Sequence, residues 1–354
     1  MANTFPETTP GPWRVLIPDA QFRGDAEVER ATANAMDAAV EFVVHREREP
    51  GKISPDEFAH SHGLMVWHEY PIDAGLIDGL DRCRVIVRAG VGFDHIDLVA
   101  AKAKGIPVCN TPDYGTNEVA DHAMALWLAL RRGITAHHDA LRLDSQKAFH
   151  PHKSLMDRLW GSTFGIVGLG RIGTATALRA KAFGCRVVAF DPHLPRGWEL
   201  ALGVERLDSL EALLPQCQAV SLHAPLTPKT RHLIDARALA AMDSRAVLIN
   251  TARGGLVDLD ALAAALEGGQ IAGAGLDVFP DEPPDPQHPL WQAYQTEAPW
   301  TRDRVIFTPH AAWYSPDSRI DARRLATETL LLYLQRGQLR NCVNGFSPPA
   351  TPGE

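Results

Sequence analysis

The segment from Phe164 to Asp191 constrains the fold of this chain more than any other. An apolar run, FGIV, leads into a G-x-G-x-x-G pattern at 168–173, and an amphipathic run follows. In a strand–turn–helix unit such glycines permit a tight turn, close approach of a pyrophosphate and close packing of helix on strand. The helix N-terminus adds N–H groups and a partial positive charge. A dinucleotide-binding loop is therefore predicted at Gly168, Gly170, Arg171, Ile172 and Gly173.

Asp191 supports this interpretation. It ends the next predicted strand, 18 residues after Gly173, where an acidic residue meets the ribose hydroxyls of a dinucleotide. A carboxylate there repels a 2′-phosphate, so the sequence favours NAD as the cofactor over NADP. Arg196 lies near enough in sequence to keep NADP as an alternative.

Short apolar runs alternate with amphipathic stretches in two series, which predicts two parallel sheets covered by helices. In the first series, strands are predicted at 13–20, 41–45, 63–67 and 84–90, and helices at 25–40 (N-capped by Asp25), 72–80 and 95–105. A long helix is predicted at 116–133, ended by Gly133. In the second series, strands are predicted at 164–168, 185–191, 219–223, 246–251, 271–278 and 304–310.

A last helix, predicted at 316–337, comes too late to belong naturally to the second sheet. It could return to the first half and make that domain discontinuous. Residues 134–159 are polar and contain His137, His138, His150 and His152. No cysteine or carboxylate completes a ligand set there, so we expect a solvated loop and no metal.

Composition narrows the function classes. The chain has 354 residues, enough for two domains, and its net charge of -8 argues against a nucleic-acid partner. No apolar run is long enough to cross a membrane, and the first residues do not resemble a signal peptide. The five cysteines are odd in number and far apart, which indicates reduced thiols and a cytoplasmic protein. Residues 1–12 and 343–354 are expected to be extended tails.

Three residues at or beyond the ends of predicted strands could carry chemistry on a keto acid. Arg253, in NTARGG, could bind a carboxylate and a keto oxygen together. His310, in TPHAAW, titrates near neutral pH and suits a reversible proton donor. A carboxylate beside it would favour the charged imidazole, and the residues alone leave Glu282 and Asp281 as equal candidates.

RAGVGFDHID, GLGRIG, LHAPLT, NTARGG, GLDVFPDEP and TPHAAW occur in one order between about residues 60 and 340. This order resembles the D-isomer-specific 2-hydroxyacid dehydrogenases. The resemblance implies an α/β fold of two doubly wound parallel-sheet domains, with a Rossmann NAD domain inserted in a flavodoxin-like substrate domain. It implies boundaries at 13–112 with 311–342 for the substrate domain, and at 113–310 for the NAD-binding domain.

The resemblance also implies roles for individual residues, and it selects Glu282 over Asp281. The implied catalytic set is Arg253, Glu282 and His310. The implied substrate contacts are backbone N–H groups of Ala89, Gly90, Val91 and Gly92, with Trp313 in the pocket. The implied cofactor contacts, besides the glycine loop and Asp191, are His223, Ala224, Pro225, Thr230, Thr251, Ala252 and Asp277.

Trp313 makes the chain especially similar to the C-terminal-binding protein branch, because a tryptophan three residues after the histidine is typical of that branch. Two functions therefore compete: an NAD-dependent reductase of 2-keto acids, and an NADH-sensing scaffold that binds partner peptides. Compactness favours the enzyme. Oxidation of formate or phosphite is disfavoured, because Trp313 fits neither small substrate well. A homodimer that includes the helix at 116–133 is expected, because the helix is strongly apolar.

Overall fold

The computed structural model describes residues 12–144, 146, 148, 149 and 157–347. The chain divides into two compact units: the first runs to Gly115 and resumes at Ser315, and the second spans Thr116–Tyr314. Most of the predicted tails, at 1–11 and 348–354, lie outside the described residues, as do His150 and His152. The substrate and cofactor roles of the two units remain predictions.

The N-terminal part of the first unit alternates strands and helices, as the apolar runs predict. Its elements are β1 (Trp13–Ile17), α1 (Glu27–Ala35), β2 (Val40–Val44), α2 (Pro55–Ala59), β3 (Gly63–Val66), α3 (Ala74–Asp78), β4 (Val85–Arg88), α4 (Leu98–Ala103) and β5 (Val108–Asn110). The strands are parallel and lie in the order β2-β1-β3-β4-β5. This 2-1-3-4-5 order is the flavodoxin-like one.

The N-cap predicted for α1 is wrong by one residue. Ala26 occupies the N-cap position and no side chain caps the helix. Asp25 instead accepts a hydrogen bond from the N–H of Ala26 and pairs with Arg30 at 2.6 Å. A carboxylate that satisfies the neighbouring N–H and a cation from the next turn cannot also reach the orphan N–H groups further along.

The second unit begins with two helices and then forms a larger sheet. Its elements are α5 (Thr116–Arg132), α6 (Ile134–Leu143), β6 (Thr163–Val167), α7 (Arg171–Ala182), β7 (Arg186–Phe190), α8 (Trp198–Leu202), β8 (Glu205–Arg206), α9 (Leu210–Leu213), β9 (Ala219–Leu222), α10 (Ala236–Ala241), β10 (Val247–Asn250), α11 (Leu259–Glu267), β11 (Gly273–Leu276), α12 (Pro289–Gln295) and β12 (Val305–Phe307). The strands are parallel, in the order β12-β11-β10-β9-β6-β7-β8. Counted from β6 this is the Rossmann order, so the predicted fold class is confirmed.

Helix α5 packs inside the second unit. Met124, Leu126, Trp127 and Leu130 are buried in the same cluster as residues of β6 and α7. The Trp127 ring meets Phe164 edge to face, with centroids 5.1 Å apart. The apolar surface that motivated the predicted dimer is therefore covered within the unit. Exposed apolar side chains lie instead on α6, which falls wholly within the stretch at 134–159 that was predicted to be a loop, so that prediction is wrong for α6.

The final helix, α13 (Pro316–Arg336), belongs to the first unit. Ser315 caps it through a reciprocal pair of hydrogen bonds with Ser318. Arg323 reaches Glu29 of α1 through two hydrogen bonds of 2.8 and 2.5 Å, and both side chains are buried. The first unit is thus built from both parts of the chain. None of the helices among the described residues is long and apolar enough to cross a membrane.

Candidate functional site

The predicted site residues of the second unit collect at one edge of its sheet. All its strands are parallel, so the carboxyl ends of β6, β7, β9, β10, β11 and β12 meet there. The loops after these strands carry the glycine motif, Asp191, His223, Arg253, Asp277 with Glu282, and His310. The order in which successive strands join the sheet reverses at β6: β7 and β8 lie on one side of it, and β9 to β12 lie on the other. In parallel sheets a crevice for a ligand opens at such a point, here between β6 and β9.

The glycine loop has the backbone that its sequence requires. Gly168 has φ of +92°, a conformation that side chains rarely adopt. A Cβ on Gly173 would lie 2.0 Å from the carbonyl oxygen of Gly168, so only glycine lets α7 pack so closely. Among the described residues, a Cβ on Gly170 would have no neighbour within 4 Å, and no side chain caps α7. The loop can therefore accept an anion at the helix N-terminus.

The carboxylate of Asp191 is oriented by backbone N–H groups. One oxygen accepts from Leu169, at 2.9 Å, and the other accepts from His193 and Leu194. The side chain thus ties the end of β7 to the glycine loop. Arg196 lies 3.7 Å from Asp208 in a pair that is largely exposed, which places this cation on the surface.

The loop after β9 packs directly on the glycine loop. A Cβ on Gly168 would lie 2.9 Å from the amide nitrogen of Ala224 and the carbonyl of His223. Burial lowers the pKa of His223 to about 3, so this imidazole is neutral. The hydroxyl of Thr230 donates to the carbonyl of Pro225 at 2.7 Å and closes the loop. The structure therefore brings these predicted cofactor residues together.

The loop after β10 carries an unsatisfied polar atom. The Thr251 hydroxyl oxygen is buried and has no hydrogen-bond partner among the described residues. Such a group is costly unless a ligand or water completes it. With the open space at Gly170 and the uncapped α7, the residues present fit a bound dinucleotide.

Gly254 brings Arg253 close to the loop after β11. A Cβ on Gly254 would lie 1.9 Å from the carbonyl carbon of Phe279, so the two backbones touch. The side-chain amide of Asn250 donates to the carbonyl of Arg253 at 2.9 Å, which fixes the start of the loop. Arg253 itself is near enough for its charge to act on Glu282.

His310 and Glu282 form a hydrogen-bonded pair, with Nδ1 2.6 Å from Oε2. Burial acts to raise the pKa of Glu282, but the hydrogen bond and charge of His310 outweigh it, with help from the N–H of Phe279 and the charge of Arg253. The net effect holds the pKa of Glu282 below its ordinary value. Glu282 is thus ionised at neutral pH and stabilises a charged imidazole.

The backbone at His310 is unusual, because φ is +51° at a residue that is not glycine. The N–H of His310 donates to the carbonyl of Asp277 at 2.8 Å. The Asp277 carboxylate accepts from the N–H groups of Ala311 and Ala312, each at 2.9 Å, and from the hydroxyl of Thr308 at 2.5 Å. Asp277 therefore holds the whole segment that presents the imidazole, and a direct contact of Asp277 with a cofactor remains a prediction.

His122 of α5 extends this network. Its Nε2 lies 2.9 Å from the Thr308 hydroxyl, whose single hydrogen is donated to Asp277. His122 must then donate through Nε2. Sequence reasoning missed both His122 and Thr308. The adjacent Asp121 pairs with Arg179 of α7 at 2.6 Å.

In the first unit, the predicted substrate loop at 89–92 is shaped by Arg88. The guanidinium of this buried arginine donates to the carbonyls of Ala89 and Gly92, at 2.5 and 2.8 Å. The N–H of Ala89 donates to the carbonyl of Val66, and the N–H of Gly90 donates to the carbonyl of Arg88. A buried arginine at the end of an apolar run was the signal that sequence reasoning overlooked.

Trp313 is partly buried, and its ring meets Tyr314 edge to face with centroids 5.7 Å apart. The backbone N–H groups just before it, at Ala311 and Ala312, are bound by the Asp277 carboxylate. The indole therefore follows a segment that is fixed in place. Its predicted contact with a substrate remains a prediction.

Comparison with known proteins gives consistent matches. Residues 124–312 match the family described as D-isomer specific 2-hydroxyacid dehydrogenase, NAD binding domain. A glyoxylate reductase from Korarchaeum cryptofilum (strain OPF8) is 41% identical over 276 residues, which are 77% of this chain and 80% of that protein.

Two solved structures share the fold over nearly the whole chain. An NADPH-dependent glyoxylate/hydroxypyruvate reductase from Sinorhizobium meliloti, in complex with NADP and malonate, has a TM-score of 0.81 and 28% identity, covering 96% of this chain and 100% of its own. D-Lactate dehydrogenase from Aquifex aeolicus, complexed with NAD and lactic acid, has a TM-score of 0.78 and 29% identity, covering 94% and 100%. These structures show a nicotinamide dinucleotide bound on the same fold.

Proposed function

Because this chain belongs to the D-isomer-specific 2-hydroxyacid dehydrogenases, a family of NAD-dependent oxidoreductases, we propose that it reduces a 2-keto acid to the D-2-hydroxy acid with NADH, using His310 as acid and base. The observation that carries this proposal is the 2.6 Å pair of His310 and Glu282, at the same sheet edge as the glycine loop. The bound cofactor would supply the hydride.

The chain's own residues manage one proton and one anion. Because Nδ1 of His310 is engaged by Glu282, the other ring nitrogen, Nε2, is the one that donates the proton to the keto oxygen. Glu282 stabilises the charged imidazole before the transfer, and the reverse reaction starts from the neutral imidazole. The guanidinium of Arg253 binds the substrate carboxylate and the keto oxygen, which aligns the carbonyl.

The substrate carboxylate is further assigned to the loop at 89–92. Two of its N–H groups, those of Ala89 and Gly90, are used inside the first unit. Those of Val91 and Gly92 have no acceptor within the described part of the chain, and they are the donors we assign to the carboxylate.

Cofactor binding is assigned to three groups of residues. Gly168, Gly170, Arg171, Ile172 and Gly173 hold the pyrophosphate, and Asp191 accepts from the ribose hydroxyls. His223, Ala224, Pro225, Thr230, Thr251, Ala252 and Asp277 line the remaining length of the dinucleotide. Asp191 gives NAD the preference over NADP, because a 2′-phosphate would meet its charge.

A substrate panel tests the reductase. NADH oxidation is followed with glyoxylate, hydroxypyruvate, phenylpyruvate and 4-methylthio-2-oxobutyrate, and the hydroxy acid formed is assigned as D or L by chiral chromatography. Turnover of at least one acid to its D product is expected. No turnover of any acid, or formation of the L product, would contradict the proposal.

Three further predictions belong with this function. The similarity to the C-terminal-binding protein branch depends on Trp313, and a peptide-binding screen on the full chain tests the competing scaffold role.

A homodimer is still expected, although the covered face of α5 moves the expected contact toward α6, where Ile134, Leu141 and Leu143 are exposed. Light scattering that finds a monomer at micromolar concentration would exclude it. A cytoplasmic location remains a prediction from the cysteine content.

A further inference from the structure

Two cysteines far apart in sequence face each other in the first unit. Cys109 lies in β5, and Cys342 lies in the segment after α13, which runs antiparallel to β5. The two residues form an isolated antiparallel bridge. Sequence reasoning treated all five cysteines as separate thiols, because 232 residues lie between these two.

The hydrogen bonds around the pair define its geometry. The N–H of Asn110 donates to the carbonyl of Asn341 at 3.2 Å, and the N–H of Val343 donates to the carbonyl of Val108 at 2.8 Å. Cys109 and Cys342 therefore form a non-hydrogen-bonded pair, with a backbone hydrogen bond on each side of it. In such pairs the Cα atoms are about 4.5 Å apart and the side chains point to the same face. A disulfide needs Cα atoms roughly 4.4–6.8 Å apart, so the backbone already satisfies it.

The segment after α13 is held against β5 by more than this pair. The side chain of Asn344 accepts from the N–H of Val108 and donates to the carbonyl of Ile106 at 2.9 Å. Because contacts on both sides fix the register, neither cysteine has to move along its strand to meet the other. The bond would therefore add little strain to the native fold.

From this register and the exposure of one partner, we propose that Cys109 and Cys342 are an oxidisable pair that forms a disulfide with a hydroperoxide. Cys342 is half-buried and reachable, whereas Cys109 is fully buried. Attack therefore begins at Cys342. Its sulfur displaces water from hydrogen peroxide and becomes a sulfenic acid, the first reversible step of cysteine oxidation.

The second step forms the disulfide. The sulfur of Cys109 attacks the sulfenic sulfur, the S–S bond forms, and the S–O bond breaks. The proton of the Cys109 thiol leaves with the hydroxide as a second water. Two thiols and one hydrogen peroxide thus give one disulfide and two waters, with two electrons passing from sulfur to the peroxide. Burial first, and then the neighbouring Cys342, raise the pKa of Cys109 to about 12, so this second step is the slower one.

The bond would join the two parts of the first unit. It closes a loop that contains the whole second unit, and closing a long loop restricts the unfolded chain. It also lies beside Asn110, whose side-chain amide donates to the carbonyl of Val91 at 2.7 Å. Oxidation would thus strengthen the strand that braces the loop at 89–92.

Peptide mapping tests the proposal. The folded full-length chain is treated with hydrogen peroxide, its remaining thiols are alkylated, and it is digested without reductant. We expect loss of two of the five thiols and one cross-linked peptide pair containing Cys109 and Cys342. Its mass falls short of the two peptides by two hydrogen atoms, and dithiothreitol separates them. Oxidation of Cys342 to the sulfinic acid without a cross-link would overturn the proposal.

Two variants make the result specific. Cys109→Ala leaves Cys342 without its partner, so a sulfenic acid should accumulate there and be trapped by dimedone. Cys83→Ala, at another buried cysteine of the same unit, should form the cross-link as the parent does. In the parent chain, oxidation should raise the urea midpoint, and reductant should reverse the rise. A cross-link that forms only in urea would show that the folded pair cannot react, and would also overturn the proposal.

Discussion

The imidazole Nδ1 of His310 and the carboxylate Oε2 of Glu282 are 2.6 Å apart, across 28 residues of sequence. This bond assigns one ring nitrogen to the carboxylate and directs the other away from it. The pair is held from both sides, because the N–H of Phe279 donates to Glu282 and Asp277 accepts the N–H of His310. These contacts, which all lie within the second unit, orient the imidazole.

Replacing the imidazole of His310 tests its proposed role as the proton donor. His310→Gln should lower kcat by roughly 10²–10⁴-fold, the usual contribution of a general acid, while the Kd for NADH measured by fluorescence stays nearly unchanged. His60→Gln, at an exposed histidine of the first unit, serves as the control and should keep its activity. A His310 variant with normal turnover would refute the assignment.

The pH profile should report on Glu282. Its pKa is held low, so the carboxylate is ionised across the neutral range and favours the charged imidazole. Reduction needs the charged form and should decline as the pH rises, whereas oxidation should rise. Glu282→Gln removes the negative charge, so the decline of reduction should move to lower pH. Asp281→Asn, at the neighbouring acid, should leave the profile in place, and identical profiles for all three proteins would contradict the pair's role.

Asp191 should decide between the two dinucleotides. Repulsion of a 2′-phosphate, together with lost hydrogen bonds to the carboxylate, is worth about 2–3 kcal/mol. NADH should therefore exceed NADPH by on the order of 100-fold in kcat/KM. Asp191→Ser should bring the ratio toward unity, and Asp208→Ser, at the exposed partner of Arg196, should not change it. Equal use of both cofactors by the parent protein would rule out this role for Asp191.

Trp313 should influence the choice of keto acid. If its indole lines the pocket, burying two or three methylenes of a substrate is worth roughly 1.5–2.5 kcal/mol. That energy corresponds to about 10–70-fold in kcat/KM in favour of apolar side chains over glyoxylate. Trp313→Ser should erode this preference and retain glyoxylate turnover. Equal losses for every substrate, with a lower unfolding temperature, would make Trp313 a structural residue.

The hydroxyl of Thr308 should matter to catalysis although it lies outside the acid–base pair. Thr308→Val removes one of the hydrogen bonds to the buried Asp277 carboxylate, and losing a bond to a charged buried group costs about 1–3 kcal/mol. We expect kcat to fall by roughly tenfold, with the Kd for NADH unchanged. Thr301→Val, at a buried threonine of the same unit that donates to backbone carbonyls, should lower stability similarly but spare kcat. If the two variants behave alike in kcat, the effect is only structural.

The features that the sequence predicted are those that depend on local pattern. Buried parallel strands are apolar runs, so each strand that ends in a site residue was visible in the sequence. Three-residue β5 and two-residue β8 are too short to show a period. Helix α6 was predicted to be a loop because the stretch at 134–159 that contains it is polar. The structure shows that the apolar side chains of α6 are exposed, so they form no buried face that a sequence pattern could reveal.

The residues that were missed make contacts that exist only in the folded chain. Arg88 binds the carbonyls of a loop, and His122 meets the Thr308 hydroxyl, which in turn donates to the Asp277 carboxylate. Such contacts depend on how the folded backbone and side chains are oriented, which no spacing in the sequence encodes. The pairing of Cys109 with Cys342 was hidden for the same reason, since an antiparallel register between distant segments fixes it.

The buried ion pair of Arg323 with Glu29 joins residues 294 positions apart, and this separation affects the order of events during synthesis. A chain emerging from the ribosome completes the second unit before Arg323 exists. Until then Glu29 cannot pair, and the face of β3 and β4 that α13 covers is open to water. Domains generally fold as units, and contacts this distant in sequence form late. The part of the chain made first is therefore the part that finishes folding last, and in that interval it is the part most exposed to chaperones and proteases.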